Sequence, residues 1–238
     1  QHGAWRRAFA QQLKQLAEWM SGHDLMDAAV QERLQRLENQ VRTDKVMVAF
    51  VAEFSRGKSE LINSIFFADY GRRIMPASAG RATMCPTELG YDAALAPSVR
   101  VLPIEARLQM QGLAEWRLKH DRWVEIPLDV NDADQLSKAL EKVAEIRRLS
   151  LDDARALGFW HDDLAEENPV PDAEGMVEVP MWRHALINIP HPLLKQGLVI
   201  LDTPGLNAVG AEPELTVNLI PQAHAVVFIL SADTGVTR

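Results

Sequence analysis

The chain has 238 residues, of which 47% are hydrophobic and 24% charged, and this composition excludes a disordered chain. A single cysteine excludes disulfide scaffolds and zinc ribbons and, with no signal-peptide pattern at the N-terminus, favours a cytoplasmic location. The net charge of −8 argues against a general nucleic-acid binder, because such proteins present a basic face.

The N-terminal part of the chain predicts helices. Residues 4–42 contain no proline, and an interruption is expected near Gly22 and His23. In the second half, apolar residues recur every three or four positions and therefore share one helix face. They are Met26, Val30, Leu34, Leu37 and Val41. We assign residues 1–43 to this helical segment, and because the chain begins with Gln1 we expect it to be part of a longer protein.

Strand and helix patterns alternate through residues 44–238, which we assign to one domain. Short apolar runs predict strands at residues 46–51, 88–94, 98–103, 185–189, 198–201 and 225–230. Amphipathic periodicity predicts helices at residues 59–67, 136–148 and 213–221, and glycine with proline predicts a long loop at 71–87. The order is typical of an α/β protein with a mostly parallel sheet flanked by helices, in which ligands bind beyond the carboxyl ends of the strands.

Most of the negative charge lies in residues 131–180. This stretch holds 13 acidic and 5 basic residues, whereas the remainder of the chain is balanced. We interpret it as an acidic insert within a neutral domain. After the helix at 136–148, Ser150 is expected to cap a second short helix, and residues 161–175 are expected to form an exposed acidic loop.

A phosphate-binding pattern follows the first predicted strand: Ala52-Glu53-Phe54-Ser55-Arg56-Gly57-Lys58-Ser59. Gly57 lets the backbone approach a phosphate, and the N-terminus of the next helix adds a positive partial charge. Lys58 supplies a full charge to the terminal phosphates, and Ser59 supplies a hydroxyl for Mg²⁺. Nucleotide contacts are therefore predicted for eight residues: Glu53, Phe54, Ser55, Arg56, Gly57, Lys58, Ser59 and Glu60.

A second motif, Asp202-Thr203-Pro204-Gly205, follows the strand at 198–201. Asp202 can hold Mg²⁺ through water, and the amide of Gly205 can contact the terminal phosphate. Thr83, in the loop between the motifs, can complete the Mg²⁺ shell, and Thr87 is the alternative. Together the motifs predict the P-loop fold and a hydrolase for a Mg²⁺-bound nucleoside triphosphate, of the GTPase type.

Residues Ala52 to Asn63 resemble the first motif of bacterial dynamin-like GTPases, and Thr83-Met84-Cys85-Pro86 resembles the switch I motif of dynamins. The resemblance covers residues 45–238 and implies hydrolysis of GTP to GDP, with Ser55, Lys58 and Thr83 in catalytic roles. Thr83 is preferred over Thr87 by this analogy. Ser55 would position the attacking water and bind a monovalent cation that stands in for an arginine finger.

The same resemblance implies partners. It predicts a homodimer through the nucleotide face, a helical bundle that the N-terminal segment joins, and membrane remodelling through lipid-binding regions outside this sequence. The protein would then be cytoplasmic or peripheral on the inner face of a bacterial membrane, without a nucleic-acid partner.

Departures from related families keep alternatives open. Leu206 stands where Ras-type enzymes carry a catalytic glutamine, so hydrolysis must draw on Ser55, Thr83 and backbone groups. Arg56 is either an internal arginine finger or a solvent or dimer contact. The Asn/Thr-Lys-x-Asp motif that reads guanine is absent from the sequence. The alternatives are a P-loop ATPase, an Era- or septin-type GTPase, and a nucleotide-dependent scaffold with little hydrolysis.

Overall fold

The computed structural model describes residues 2–23, 25–27, 30–31, 33–34, 37, 45–52, 57–76, 85–163, 168–203 and 220–229. The chain divides into two compact units, Gln1–Lys45 and Val46–Arg238. In the first unit, helix α1 spans His2–Ser21 and ends at the expected interruption beside Gly22. Within the described ranges, no helix has the length and hydropathy needed to cross a membrane.

Nine strands are described in the second unit: β1 Val46–Ala52, β2 Thr87–Gly90, β3 Ser98–Pro103, β4 Val124–Pro127, β5 Ile146–Leu149, β6 Val177–Pro180, β7 Trp182–Asn188, β8 Leu198–Asp202 and β9 Ala225–Ile229. Seven of them form one sheet in the order β4-β3-β7-β2-β8-β1-β9. Strand β1 is parallel to β8 and β9, and β2 is parallel to β7, whereas β2 is antiparallel to β8 and β3 is antiparallel to both of its neighbours. The predicted α/β fold class is confirmed, with a mixed sheet.

The α-helices described in this unit are α2 Lys58–Phe66, α3 Leu113–Arg117, α4 Ala133–Glu141, α5 Leu151–Ala156 and α6 Pro192–Lys195. Residues 49–51 of strand β1 are buried between two hydrophobic clusters, as the unbroken apolar sequence predicts. Phe50 belongs to the cluster that contains Ile62 of α2 and Leu136 of α4. Ala49 belongs to a second cluster, which includes Trp116 of α3. The sheet is thus covered on both faces around β1.

The strand register brings the two sequence motifs to the same end of the sheet, at the carboxyl ends of their strands. Phe50, near the end of β1, pairs with Asp202 at the end of β8. Asp202 also pairs with Thr87, the first residue of the antiparallel strand β2. This end of the sheet therefore contains the carboxyl ends of β1 and β8 and the start of β2, and α2 begins there.

The predicted helix at 136–148 is wrong at both ends. Helix α4 starts earlier, because the carboxylate of Asp132 accepts hydrogen bonds from the backbone N–H groups of Asp134 and Gln135. After a 3₁₀ turn at Lys142–Ala144, residues 146–149 form β5 instead of more helix. β5 pairs with β6, about thirty residues away, and this tertiary partner overrides the local helical pattern.

The acidic insert therefore contains a small folded layer. Leu149, Phe159 and Val179 lie in a separate hydrophobic cluster beneath the β5–β6 pair. The described parts of the expected acidic loop, residues 161–163 and 168–175, are mostly exposed turns.

Other predicted boundaries change by a few residues. Strand β2 ends at Gly90 instead of residue 94, because the chain turns there and the Asn188 side chain accepts a hydrogen bond from the N–H of Asp92. Strand β7 starts at Trp182 instead of residue 185, because its first residues pair with the end of β3. Most of the predicted helix at 213–221 lies outside the described residues, and its end belongs to a 3₁₀ turn, Ile220–Gln222.

Ser150 caps α5, as predicted: its Oγ accepts a hydrogen bond from the N–H of Asp153 at 3.1 Å. Replacing Ser150 with alanine removes this acceptor, and we expect the free energy of unfolding to fall by about 1 kcal/mol in denaturant titrations. Ser150→Thr keeps a hydroxyl and is the control, with most of the stability retained. Equal stability of Ser150→Ala and wild type would contradict the capping role.

Candidate nucleotide-binding site

A glycine with a left-handed backbone conformation immediately precedes α2. Gly57 has φ of +90°, a conformation that glycine adopts readily and other residues adopt at a cost. A Cβ built on Gly57 would lie 3.7 Å from Cγ2 of Ile229, which is ordinary contact. The backbone angle, and not a lack of space, is what requires glycine at this position.

The structure brings together the charged residues of the two motifs. The Nζ of Lys58, the first residue of α2, lies 2.7 Å from Oδ1 of Asp202 at the end of β8. It also donates a hydrogen bond to the carbonyl of Thr203. Lys58 and Asp202 are each only 4% exposed. Buried ion pairs lose much of their attraction to desolvation, so this pair is weak evidence for a stabilising role and points to a functional one.

Burial raises the pKa of the Asp202 carboxyl above its usual value, and the charge and hydrogen bond of Lys58 offset this only in part. The carboxylate therefore remains under-compensated even beside the lysine. An additional cation at this carboxylate would stabilise its ionised form.

The hydroxyl of Ser59 is buried and, among the described residues, has no hydrogen-bond partner. Leaving a buried polar group unpaired costs about 1–3 kcal/mol, so this hydroxyl is a candidate ligand for a bound ion. Hydroxyl and carboxylate oxygens are the ligands that Mg²⁺ prefers. Ser59 and Asp202 therefore fit a Mg²⁺ ion at this end of the sheet.

Among the other predicted site residues that the structure describes, Glu60 is not part of this centre. The side chain of Glu60 is exposed and forms an ion pair with Arg73. Six predicted site residues lie outside the described ranges: Glu53, Phe54, Ser55, Arg56, Thr83 and Gly205. The roles assigned to these six residues stay predictions.

Sequence reasoning gave no role to Thr203, which connects the ends of two strands. Its Oγ1 donates a hydrogen bond to the carbonyl of Phe50 at 3.0 Å, and its own carbonyl accepts the bond from Lys58. The position of Thr203 inside the second motif was the available signal. Thr87, the alternative Mg²⁺ threonine, is buried, and its hydroxyl donates to the carbonyl of Cys85 at 3.1 Å.

Comparisons with known proteins agree with the resemblance noted in the sequence. The model of the Dynamin family matches residues 48–238. A curated relative, the bacterial dynamin-like protein of Nostoc punctiforme, is 35% identical over 54 residues, which are 23% of this chain and 8% of that protein.

Two solved chains are also similar, with 22% and 14% identity and TM-scores of 0.41 and 0.42. Both come from studies of an oligomerised bacterial dynamin pair described as a mechanism for long-range sensing and tethering of membranes. The matches cover 84% and 99% of this chain but 23% and 29% of those chains, so this sequence spans less than a third of their length. Because the family match includes both sequence motifs and nearly all of the second unit, the chain belongs to the dynamin family.

Proposed function

We propose that this chain binds GTP with Mg²⁺ and hydrolyses it to GDP. The observation that carries the proposal is the buried Lys58–Asp202 ion pair beside the unpartnered hydroxyl of Ser59. The group lies at the start of α2 and at the carboxyl ends of β1 and β8, where phosphate-binding loops of α/β proteins bind nucleotides.

The described residues can perform the electrostatic part of the reaction. Lys58 exchanges its contact with Asp202 for the terminal phosphates and stabilises the negative charge that develops as water attacks the γ-phosphate. Ser59 and Asp202 are the residues that would hold Mg²⁺. When bound, Mg²⁺ neutralises charge on the phosphate oxygens. The N–H groups at the start of α2 bind further phosphate oxygens.

The water-activating part of the reaction is assigned to residues outside the described ranges. We propose that Ser55 positions the attacking water and binds a monovalent cation, and that the Gly205 amide contacts the γ-phosphate. We assign Thr83, and not Thr87, to the Mg²⁺ shell. The engagement of the Thr87 hydroxyl with the Cys85 carbonyl supports this choice.

The family membership supports wider proposals. The chain would form a homodimer through its nucleotide face, and residues 1–43 would join a helical bundle. Residues 44–238 would act as the GTPase domain, with the acidic insert at 131–180. Other regions of a longer protein would bind lipid and couple GTP hydrolysis to membrane remodelling, at the cytoplasmic side of a bacterial membrane.

The test is phosphate release from GTP and from ATP by the full-length protein at increasing protein concentration. We expect turnover of GTP in preference to ATP, with a rate per molecule that rises with concentration because dimers form. Preferential turnover of ATP would favour a P-loop ATPase. Nucleotide binding without turnover would favour a scaffold role.

A further inference from the structure

A buried asparagine of α2 connects this helix to residues 72–75, which follow it in the chain. Asn63 lies one helical turn after Ser59, and its Nδ2 donates hydrogen bonds to the carbonyls of Ser59 at 2.8 Å and Met75 at 3.0 Å. Its Oδ1 accepts hydrogen bonds from the N–H groups of Ile74 and Met75, both at 2.8 Å. All four hydrogen-bonding positions of the side-chain amide are therefore used by backbone groups.

The other described contacts of residues 72–75 do not determine how these residues are aligned with α2. Arg72 pairs with Asp134 and Arg73 pairs with Glu60, but all four side chains are 46% to 85% exposed, and such pairs contribute little. The side chains of Ile74 and Met75 are buried in the core. Apolar burial is non-directional, whereas a fully satisfied polar network selects one arrangement of the backbone.

We propose that Asn63 is a positioning residue for the Mg²⁺–phosphate site. Its amide fixes the turn of α2 that carries Ser59 against residues 74–75. This role rests on the proposed function and assigns a determinant of Mg²⁺ affinity within it.

The chain offers a matched control in Asn188, at the end of β7. Asn63 and Asn188 are each 7% exposed. The Asn188 side chain also makes four hydrogen bonds to backbone groups: it donates to the carbonyls of Asp92, Leu95 and Ala96 and accepts from the N–H of Asp92. Asn188 pairs with Gly90 at the end of β2, whereas Asp202 pairs with Thr87 at the start of β2. Asn188 therefore lies at the opposite end of the sheet from Asp202.

The experiment compares Asn63→Ala with Asn188→Ala in the full-length protein. Binding of a fluorescent GTP analogue is titrated with Mg²⁺, and thermal unfolding is measured in parallel. We expect similar falls in Tm for both variants, because each leaves buried backbone groups unpaired. We expect the Mg²⁺ concentration for half-maximal binding to rise about tenfold in Asn63→Ala only. A tenfold change in binding corresponds to the free energy of about one lost hydrogen bond, which is the loss expected when the amide no longer holds the turn that carries Ser59.

Asn63→Ser provides a second variant if alanine prevents folding. Its uncharged hydroxyl can still donate one hydrogen bond and accept another, and we expect an intermediate shift in Mg²⁺ dependence. Equal Mg²⁺ dependence of folded Asn63 and Asn188 variants would overturn the positioning role alone. Failure of the wild-type protein to bind guanine nucleotide would contradict the proposed function itself, and the positioning role with it.

Discussion

Replacing Lys58 with alanine should lower kcat/KM for GTP by about 10²–10³, a loss typical of removing one group that stabilises charge in the transition state. The lysine is the only described cation that contacts Asp202, and its Nζ lies at the start of α2 where phosphates are expected to bind. The loss should be apparent in nucleotide affinity as well as in kcat, because the positive charge acts on bound GTP and on the transition state.

The control for this variant is Lys142→Ala. Lys142 is half exposed, belongs to neither motif and pairs with Glu145 at 2.5 Å, so its removal should leave kcat/KM unchanged. Lys58→Ala also leaves Asp202 buried without its cation, and folding of the variant should therefore be confirmed by circular dichroism. Unchanged nucleotide affinity in a folded Lys58→Ala protein would refute the assignment of the phosphate-binding loop.

Replacing Glu88 with alanine should destabilise the fold by about 3–5 kcal/mol, the typical cost of removing one partner from a buried ion pair. Glu88 lies on β2 and is almost fully buried. Its Oε1 lies 3.0 Å from Nε2 of His184 on β7 and also contacts the guanidinium of Arg117. Chemical denaturation of Glu88→Ala at pH 7 measures the effect. Exposed Glu105, which pairs with Arg147, is the matched control with an expected loss below about 1 kcal/mol.

The same network predicts a pH dependence. Burial opposes ionisation of Glu88, but the hydrogen bond and charge of His184, with those of Arg117, more than offset it and lower the pKa from 4.5 to about 2. A carboxyl with a lowered folded-state pKa contributes stability that is present above the unfolded value and lost as the pH falls through the folded value. A shift of this size corresponds to about 3 kcal/mol, lost mainly between about pH 5 and pH 2.

Glu88→Gln tests this dependence, because glutamine has a similar shape and does not titrate. The difference in unfolding free energy between wild type and Glu88→Gln should shrink as the pH is lowered from 7 to 3. A difference that stays constant over this range would contradict the lowered pKa.

The sequence predicted the strands that carry the site because their signals are local. Residues 46–51 and 198–201 are short apolar runs that each precede one of the two motifs, and both are strands. The motif residues Lys58 and Asp202 are also brought together as the pairing of the motifs implied. Local pattern and tertiary structure agree at these places, as is expected of a foldable sequence.

Features that depend on distant partners were not predictable in this way. Residues 146–148 continue a helical pattern and become β5 only because β6 lies beside them. Glu88 and His184 are separated by 96 residues, and Asn63 reaches Ile74 and Met75 only because the chain returns after α2. A single sequence carries periodicity and short motifs, but it does not indicate which buried polar groups will meet.

The most direct test of a Mg²⁺-dependent GTP site is phosphate release from GTP by the full-length protein, measured with Mg²⁺ and after its removal with EDTA, alongside Ser59→Ala. The proposed site predicts turnover with Mg²⁺, loss of turnover in EDTA, and a large fall in Ser59→Ala, whose buried hydroxyl is a proposed Mg²⁺ ligand. Turnover that persists in EDTA, or that Ser59→Ala leaves unchanged, would contradict it.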